Sequence, residues 1–253
     1  MPFLMAGDPS LDITYKILLK LQEEGADFIE LGIPYSDPLA DGPIIQLSAS
    51  RALKSGTSLV KVLDLLKNIK GKLHIPVILF TYFNPLLNFG FKKFCEIASD
   101  VGAAGVIIPD LPLEETKQFS QIANDFNLDL ILLIAPTTPL DRMKMISERT
   151  RGFTYLVSVT GVTGERNDLE NRVEHLIRQL KEISSNPIAV GFGISCPEHI
   201  IKVRKWGADG VIIGSAFVKR ISDNKDSQII NEVGSFFSDM RSVSEEHQDE
   251  LYI

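Results

Sequence analysis

Apolar positions along the chain alternate between two rhythms. In 11–23, Leu11, Tyr15, Ile17, Leu18 and Leu21 fall on one face of a 3.6-residue wheel, with Asp12, Lys16, Lys20 and Glu23 opposite. That spacing predicts an amphipathic helix, with Asp8 and Ser10 both available as N-caps. The next segment is different: Gly25-Ala26-Asp27-Phe28-Ile29-Glu30-Leu31-Gly32 is a glycine and then a short, almost wholly apolar run. The same form returns at Gly102-Ala103-Ala104-Gly105-Val106-Ile107-Ile108-Pro109-Asp110 and at Gly207-Ala208-Asp209-Gly210-Val211-Ile212-Ile213-Gly214. Glycine suits a helix C-terminus because it enters the left-handed region without a Cβ penalty. An all-apolar run of that length is a strand covered on both faces, as in parallel sheets.

Further runs at 75–80, 128–134, 153–157 and 187–190, together with 3–5, bring the strand candidates to eight. Helical patterns separate them at 42–54, 57–70, 91–101, 113–126, 139–149, 169–184 and 197–206, with a last helix near 226–241. Eight strand-then-helix units predict an α/β chain folded as a single (β/α)₈ TIM barrel over 1–253. A doubly wound open sheet remains the alternative from pattern alone. No linker or low-complexity tract divides the chain, and the polar, acidic tail 242–253 is expected to fray.

Composition narrows the function classes. Of 253 residues, 44% are hydrophobic and 23% charged, which excludes disorder and coiled coil. The balance of 26 basic against 33 acidic residues, formally −7, offers no basic patch for nucleic acid or an anionic membrane surface. The best apolar run, 130–135, is far short of a membrane span. Met1-Pro2-Phe3-Leu4-Met5-Ala6 has no basic lead, so no signal peptide is expected. Cys95 and Cys196 lack metal spacing and read as reduced thiols of a cytoplasmic protein.

Barrel active sites lie at the C-terminal ends of the strands. There Glu30 is the odd residue: a carboxylate in an apolar strand must be paired or protonated, and a raised pKa suits a general acid/base. A glutamate merely held by backbone donors is the plainer alternative. Beyond it, Gly32-Ile33-Pro34-Tyr35-Ser36-Asp37-Pro38-Leu39-Ala40-Asp41-Gly42-Pro43 is stiffened by three prolines and carries Asp37 and Asp41 over the barrel mouth. Either aspartate could instead cap the helix that begins near Gly42-Pro43. Gly191-Phe192-Gly193-Ile194-Ser195 and Gly214-Ser215 come after the last two strands, where exposed backbone N–H groups and a helix N-terminus would hold a phosphate. Tight strand–helix packing would also use these glycines. Thr160-Gly161-Val162-Thr163-Gly164-Glu165-Arg166-Asn167 is long for a barrel connection and reads as a lid or as an ordinary surface loop. Tyr155 either faces the site or fills the barrel. No strand candidate contains lysine, which disfavours Schiff-base chemistry, and His74, His175, His199 and His247 stand too far apart for a triad or a metal site.

The run Glu30-Leu31-Gly32-Ile33-Pro34-Tyr35-Ser36-Asp37-Pro38-Leu39-Ala40-Asp41-Gly42-Pro43 resembles the signature of the tryptophan synthase alpha chain family. Gly7-Asp8-Pro9, Gly161-Val162-Thr163-Gly164, the 191–195 turn and Gly214-Ser215 match in the same order, so the resemblance covers nearly the whole chain. It implies cofactor-free retro-aldol cleavage of indole-3-glycerol phosphate to indole and glyceraldehyde 3-phosphate. Glu30 would move protons between indole C3 and the glycerol hydroxyl, and Asp41 would accept the indole N–H. Tyr155 would line the indole pocket, Gly164, Gly193, Gly214 and Ser215 would hold the phosphate, and Thr163 would close the lid over Asp41. The resemblance further implies a pyridoxal-phosphate beta chain as partner in an α2β2 assembly, with Asp37 on the surface that signals to it. Two departures stand out. Members usually carry a helix before the first strand, which here would start almost at Met1, so a less covered barrel floor is expected. Val159 stands where some members place an arginine, which implies weaker lid closure. The second reading is therefore a catalytically weakened subunit that mainly activates its beta chain.

Overall fold

In this computed structural model, residues 1–157, 166–191 and 193–246 are described, the side chains of 166–170 and 244–246 apart. The first half runs β1 (Phe3–Met5), α1 (Leu11–Glu23), β2 (Ile29–Gly32), α2 (Pro43–Lys54), α3 (Leu59–Ile69), β3 (Val77–Phe80), α4 (Phe83–Phe89), α5 (Phe91–Asp100) and β4 (Ala103–Ile107). The second runs α6 (Thr116–Asp125), β5 (Asp129–Ile131), β6 (Leu133–Ile134), α7 (Leu140–Arg149), β7 (Thr154–Val157), α8 (Arg166–Ile183), β8 (Ile188–Gly191), α9 (Pro197–Lys205), β9 (Gly210–Val211), α10 (Ser215–Asp223) and α11 (Asp226–Glu246).

All strand pairs are parallel and keep chain order, β1 to β5 and then β6 to β9. A parallel bridge between Pro2 and Ile213, with Phe3 N–H donating to Ile213 O at 2.9 Å, joins the last strand to the first. The expected TIM barrel is therefore closed, and the open-sheet alternative is excluded. The fifth expected strand is interrupted: Leu132 N–H donates to the Thr150 hydroxyl at 2.9 Å, while Leu132 O accepts from Tyr155 N–H at 3.1 Å. One diverted donor thus divides a single segment into β5 and β6.

Strand residues alternate between two cores, which is why the sequence runs were apolar throughout. Phe3, Met5, Ile78, Phe80, Ile107, Ile131, Tyr155 and Ile212 fill the barrel interior. Leu4, Ile29, Leu31, Leu79, Val106, Leu130, Leu156 and Val190 pack outward against the helices. Each fully buried Leu or Ile stabilises by roughly 1.5–3 kcal/mol, so this second core supplies most of the grip on the helices. Register places Glu30 level with Phe3 and Ile78, on the interior side.

Several local expectations are refined. Ser10 is the N-cap of α1, accepting from Ile13 N–H at 3.2 Å. Asp8 is buried and instead binds α2: Arg51 reaches it through two nitrogens at 2.7 and 2.6 Å, and the Ser48 hydroxyl donates at 2.5 Å. Asp41 does not cap α2, whose N-cap is Gly42 with no side-chain bond. α4 and α10 are additions to the pattern; both are short, and α4 carries Pro85 within its first turn. The last helix continues to Glu246, five residues into the tail expected to fray; Val233, Phe236, Phe237 and Met240 bury its apolar face before the tail, and Val243 within it packs against the same core.

Candidate active site

The strand ends open into a cavity of about 820 Å³. Glu30, Asp41, Tyr155, Gly193, Gly214 and Ser215 all line it, although they come from five segments spread over most of the chain. Phe3, Phe80 and Ile212 supply apolar wall.

Glu30 is 1% exposed, and its Oε2 has no hydrogen-bond partner among the described residues. No backbone N–H of the described residues donates to it, which counts against the plainer reading of the sequence. Burial first, and the charge of Asp41 second, push its pKa up to about 8, while the Tyr155 hydroxyl facing it acts the other way. Glu30 is consequently a protonated acid at neutral pH. Asp41 is also raised, by burial, but only to about 6, and the Tyr82 hydroxyl pulls it back down. Two carboxyl groups of one cavity thus titrate on either side of neutrality.

Tyr155 projects into the site rather than packing away from it, and the backbone opposite makes room for it. A Cβ on Gly191 would stand 2.8 Å from the Tyr155 hydroxyl oxygen. Gly191 therefore serves the tyrosine, a function its place in a glycine turn did not reveal. Gly193, at φ +44°, holds a left-handed conformation that disfavours a side chain. Gly214 is the N-cap of α10 and has no side-chain cap bond. The first N–H groups of that helix consequently face the cavity end where Ser215 lies, an arrangement suited to an anion.

The loop between β2 and α2 is held from beneath. Asp41 N–H donates to Pro38 O at 3.1 Å, Leu39 N–H to Asp37 O at 2.9 Å, and Gln46 Nε2 to Asp41 O at 2.8 Å. Ala40 N–H donates to the hydroxyl of Tyr82 at 3.1 Å. Tyr82 was not singled out by sequence, yet it lies two residues past the end of β3, where barrel sites are built. Asp37 is exposed, takes a 2.9 Å hydrogen bond from the Ser36 hydroxyl, and does not line the cavity. Thr163, Gly164 and Val159 lie outside the described residues. Among the described residues, no group of three His, Cys, Asp or Glu side chains is placed to hold a metal ion, and no helix is long and apolar enough to cross a membrane.

Comparison with known proteins agrees with this arrangement. The family model described as tryptophan synthase alpha chain matches residues 1–245. A tryptophan synthase alpha chain of Prochlorococcus marinus subsp. pastoris is 70% identical over 246 residues, covering 97% of this chain and 88% of that one. One from Synechococcus elongatus is 55% identical over 222 residues, covering 88% and 84%. Among solved structures, the tryptophan synthase complex from Pyrococcus furiosus superposes with a TM-score of 0.87 at 38% identity, covering 95% of this chain and 96% of that one. Identity at this level over almost the full length, on a closed barrel with the signature carboxylates in one cavity, places the chain in the tryptophan synthase alpha chain family.

Proposed function

We propose that Glu30 and Asp41 carry out in this chain the cleavage of indole-3-glycerol phosphate, the step of tryptophan biosynthesis that its family membership assigns to it. The supporting observation is that Glu30, whose Oε2 has no partner among the described residues, and Asp41 line one cavity, where burial raises the pKa of both. A volume of about 820 Å³ suits a small ligand, since such sites span roughly 300–1,000 Å³. The phosphate sits against Gly193, Gly214, Ser215 and the α10 N-terminus, and the indole ring lies between the apolar wall and Asp41.

Protonated Glu30 delivers its proton to indole C3, leaving positive charge on the ring that ionised Asp41 stabilises at the N–H. The resulting Glu30 carboxylate takes the proton of the hydroxyl on the adjoining glycerol carbon. That oxygen's electrons form the aldehyde, the bond to C3 breaks, and its electron pair restores the C2–C3 double bond while the ring nitrogen regains its lone pair. Glu30 ends protonated, so the cycle is a carbon–carbon lyase reaction that calls on no cofactor in this chain.

The product indole needs a recipient, and we take it to be a tryptophan synthase beta chain with pyridoxal phosphate, in an α2β2 assembly. Exposed apolar side chains at the mouth support a partner there: Leu39 on the site loop is 91% exposed, and Leu87 and Leu140 beyond β3 and β6 are half-exposed. Asp37 stands on the same surface. Thr163 and Gly164 retain their proposed lid and phosphate roles.

The test is indole release from indole-3-glycerol phosphate, with and without the cognate beta chain, in the wild type and in Glu30→Gln and Asp41→Asn. Release that rises with the partner and falls about a hundredfold to ten-thousandfold in Glu30→Gln is expected, the usual contribution of a general acid/base. Activation of the beta chain with no release from the wild type would instead make this protein a non-cleaving activator.

A further inference from the structure

Gly7-Asp8-Pro9, just past the end of β1, does not line the cavity, yet it is bonded to the helix that follows the site loop. Ser48, Arg51 and Ser55, spaced i, i+3 and i+7, bring one side of α2 against it. The Ser48 hydroxyl donates to Asp8 Oδ2 at 2.5 Å. Arg51 Nε and Nη2 donate to Oδ1 and Oδ2 at 2.7 and 2.6 Å, and the Ser55 hydroxyl donates to Gly7 O at 3.0 Å. Asp8 is buried and stands on a fixed base. Ala6 N–H donates to Gly32 O at 2.8 Å, Gly7 N–H to the Thr14 hydroxyl at 2.9 Å, and Asp8 N–H to Met5 O at 3.2 Å.

The apolar grip on α2 is slight. Its buried residues are Ser48, Ala49 and Ala52, whereas α3 buries Val62, Leu63, Leu65, Leu66 and Ile69. Ile44 and Leu47 near its start are exposed. Burial stabilises in proportion to the apolar area removed from water, so two alanines and a serine hold a helix weakly. A bidentate arginine–carboxylate pair, by contrast, fixes direction as well as distance. We propose that Asp8 is a positioning residue of the site: by seating α2 through Ser48 and Arg51, it fixes Asp41, at the head of that helix, over the cavity. The proposal rests on the reading of Asp41 as the group that meets the indole N–H.

The link from anchor to acid is short and stiff. Asp41 directly precedes Gly42, the N-cap of α2. Gln46 ties it to the first turn twice, its N–H donating to Gly42 O at 3.0 Å and its Nε2 to Asp41 O at 2.8 Å. Ser48 follows Asp41 by seven residues, roughly 10 Å along a helix, so a tilt of about 6° at the anchor moves Asp41 by about 1 Å. A misplacement of that size is enough to cost about a hundredfold in rate. Neither Asp8 nor Arg51 lines the cavity, so both act through α2 and not on the substrate.

The test uses the full chain with its cognate beta chain. Arg51→Ala should lower kcat for indole release about tenfold to a hundredfold with KM within about threefold, because the charge that Asp41 meets develops in the transition state. Met240→Ala, a cavity variant in α11, should lose stability and keep kcat, which separates positioning from general destabilisation. Hydrogen exchange reads the anchor without the reaction. The Asp41 and Gln46 amides, bonded to Pro38 O and Gly42 O, should exchange about tenfold faster in Arg51→Ala relative to the amides of α3 in the same protein. Arg51→Lys, whose point charge cannot bridge both carboxylate oxygens, repeats both measurements should Arg51→Ala not fold. Unchanged kcat in the folded variant, an equal loss in Met240→Ala, or Asp41 and Gln46 amides no faster relative to α3 than in the wild type overturns the proposal. A wild type that releases no indole overturns the proposed reaction instead and leaves hydrogen exchange to decide on Asp8.

Discussion

Replacing Glu30 with Gln keeps the shape of a fully buried side chain and removes one titration, so it should change how stability depends on pH. In the folded protein Glu30 holds its proton up to about pH 8, whereas the unfolded chain releases it near the ordinary 4.5. The folded state therefore binds more protons between these values. Its contribution is fully present below 4.5, is lost progressively as pH rises, and levels off above 8. Each pH unit inside the window is worth about 1.4 kcal/mol. From pH 5 to pH 8 the wild type should lose roughly 3–4 kcal/mol that Glu30→Gln does not lose, a large part of a typical stability of about 5–15 kcal/mol. The Gln amide carries its own constant cost, because Oε2 has no partner among the described residues, but that cost does not vary with pH. Denaturant unfolding of both proteins at pH 5, 6, 7 and 8 measures the difference directly, since every other titration is common to the pair. The gap in favour of Glu30→Gln must widen as pH rises. Parallel curves would show that the carboxyl is ionised in the folded state near neutrality and would refute its assignment as the acid.

The same pair of values predicts a bell-shaped kcat/KM profile for indole release, rising with ionisation of Asp41 near pH 6 and falling with ionisation of Glu30 near pH 8; a profile flat from 5 to 9 would contradict the division of roles. Gly191→Ala should place a methyl group against Tyr155 and cost about 1–3 kcal/mol of stability and most of the activity, and Tyr155→Leu in the same chain should restore part of both. Arg51→Ala should destabilise by about 2–3 kcal/mol in thermal or denaturant unfolding, because it leaves the buried Asp8 carboxylate with only Ser48 among the described residues; the half-exposed guanidinium keeps this below the roughly 3–5 kcal/mol of a fully buried pair.

The hydrophobic rhythm alone determined eight parallel strands covered on both faces and separated by amphipathic helices, because apolar runs with no polar face require cover on both sides. It left a doubly wound open sheet as the alternative to the barrel, and only the pairing of Pro2 with Ile213 closed the ring. Glu30 was legible for the same reason, as a charge on a strand with no solvent face. Asp41, Gly193, Gly214 and Ser215 were legible from their place just beyond strand ends, where loop chemistry collects, and the fourteen-residue signature from 30 to 43 gave them their family. The gap between two pKa values was not legible, because it depends on burial and on a second carboxylate reaching the same cavity from another segment. Nor was the split of the fifth strand, which turns on one N–H choosing a threonine hydroxyl. Tyr82 and Gly191 escaped notice because each meets a residue distant in the chain, the Ala40 backbone N–H in one case and the Tyr155 hydroxyl in the other. Periodicity records which face of an element is covered, but not which side chain meets which across the barrel. That pairing exists only once the ring has closed, and it decides where the protons reside.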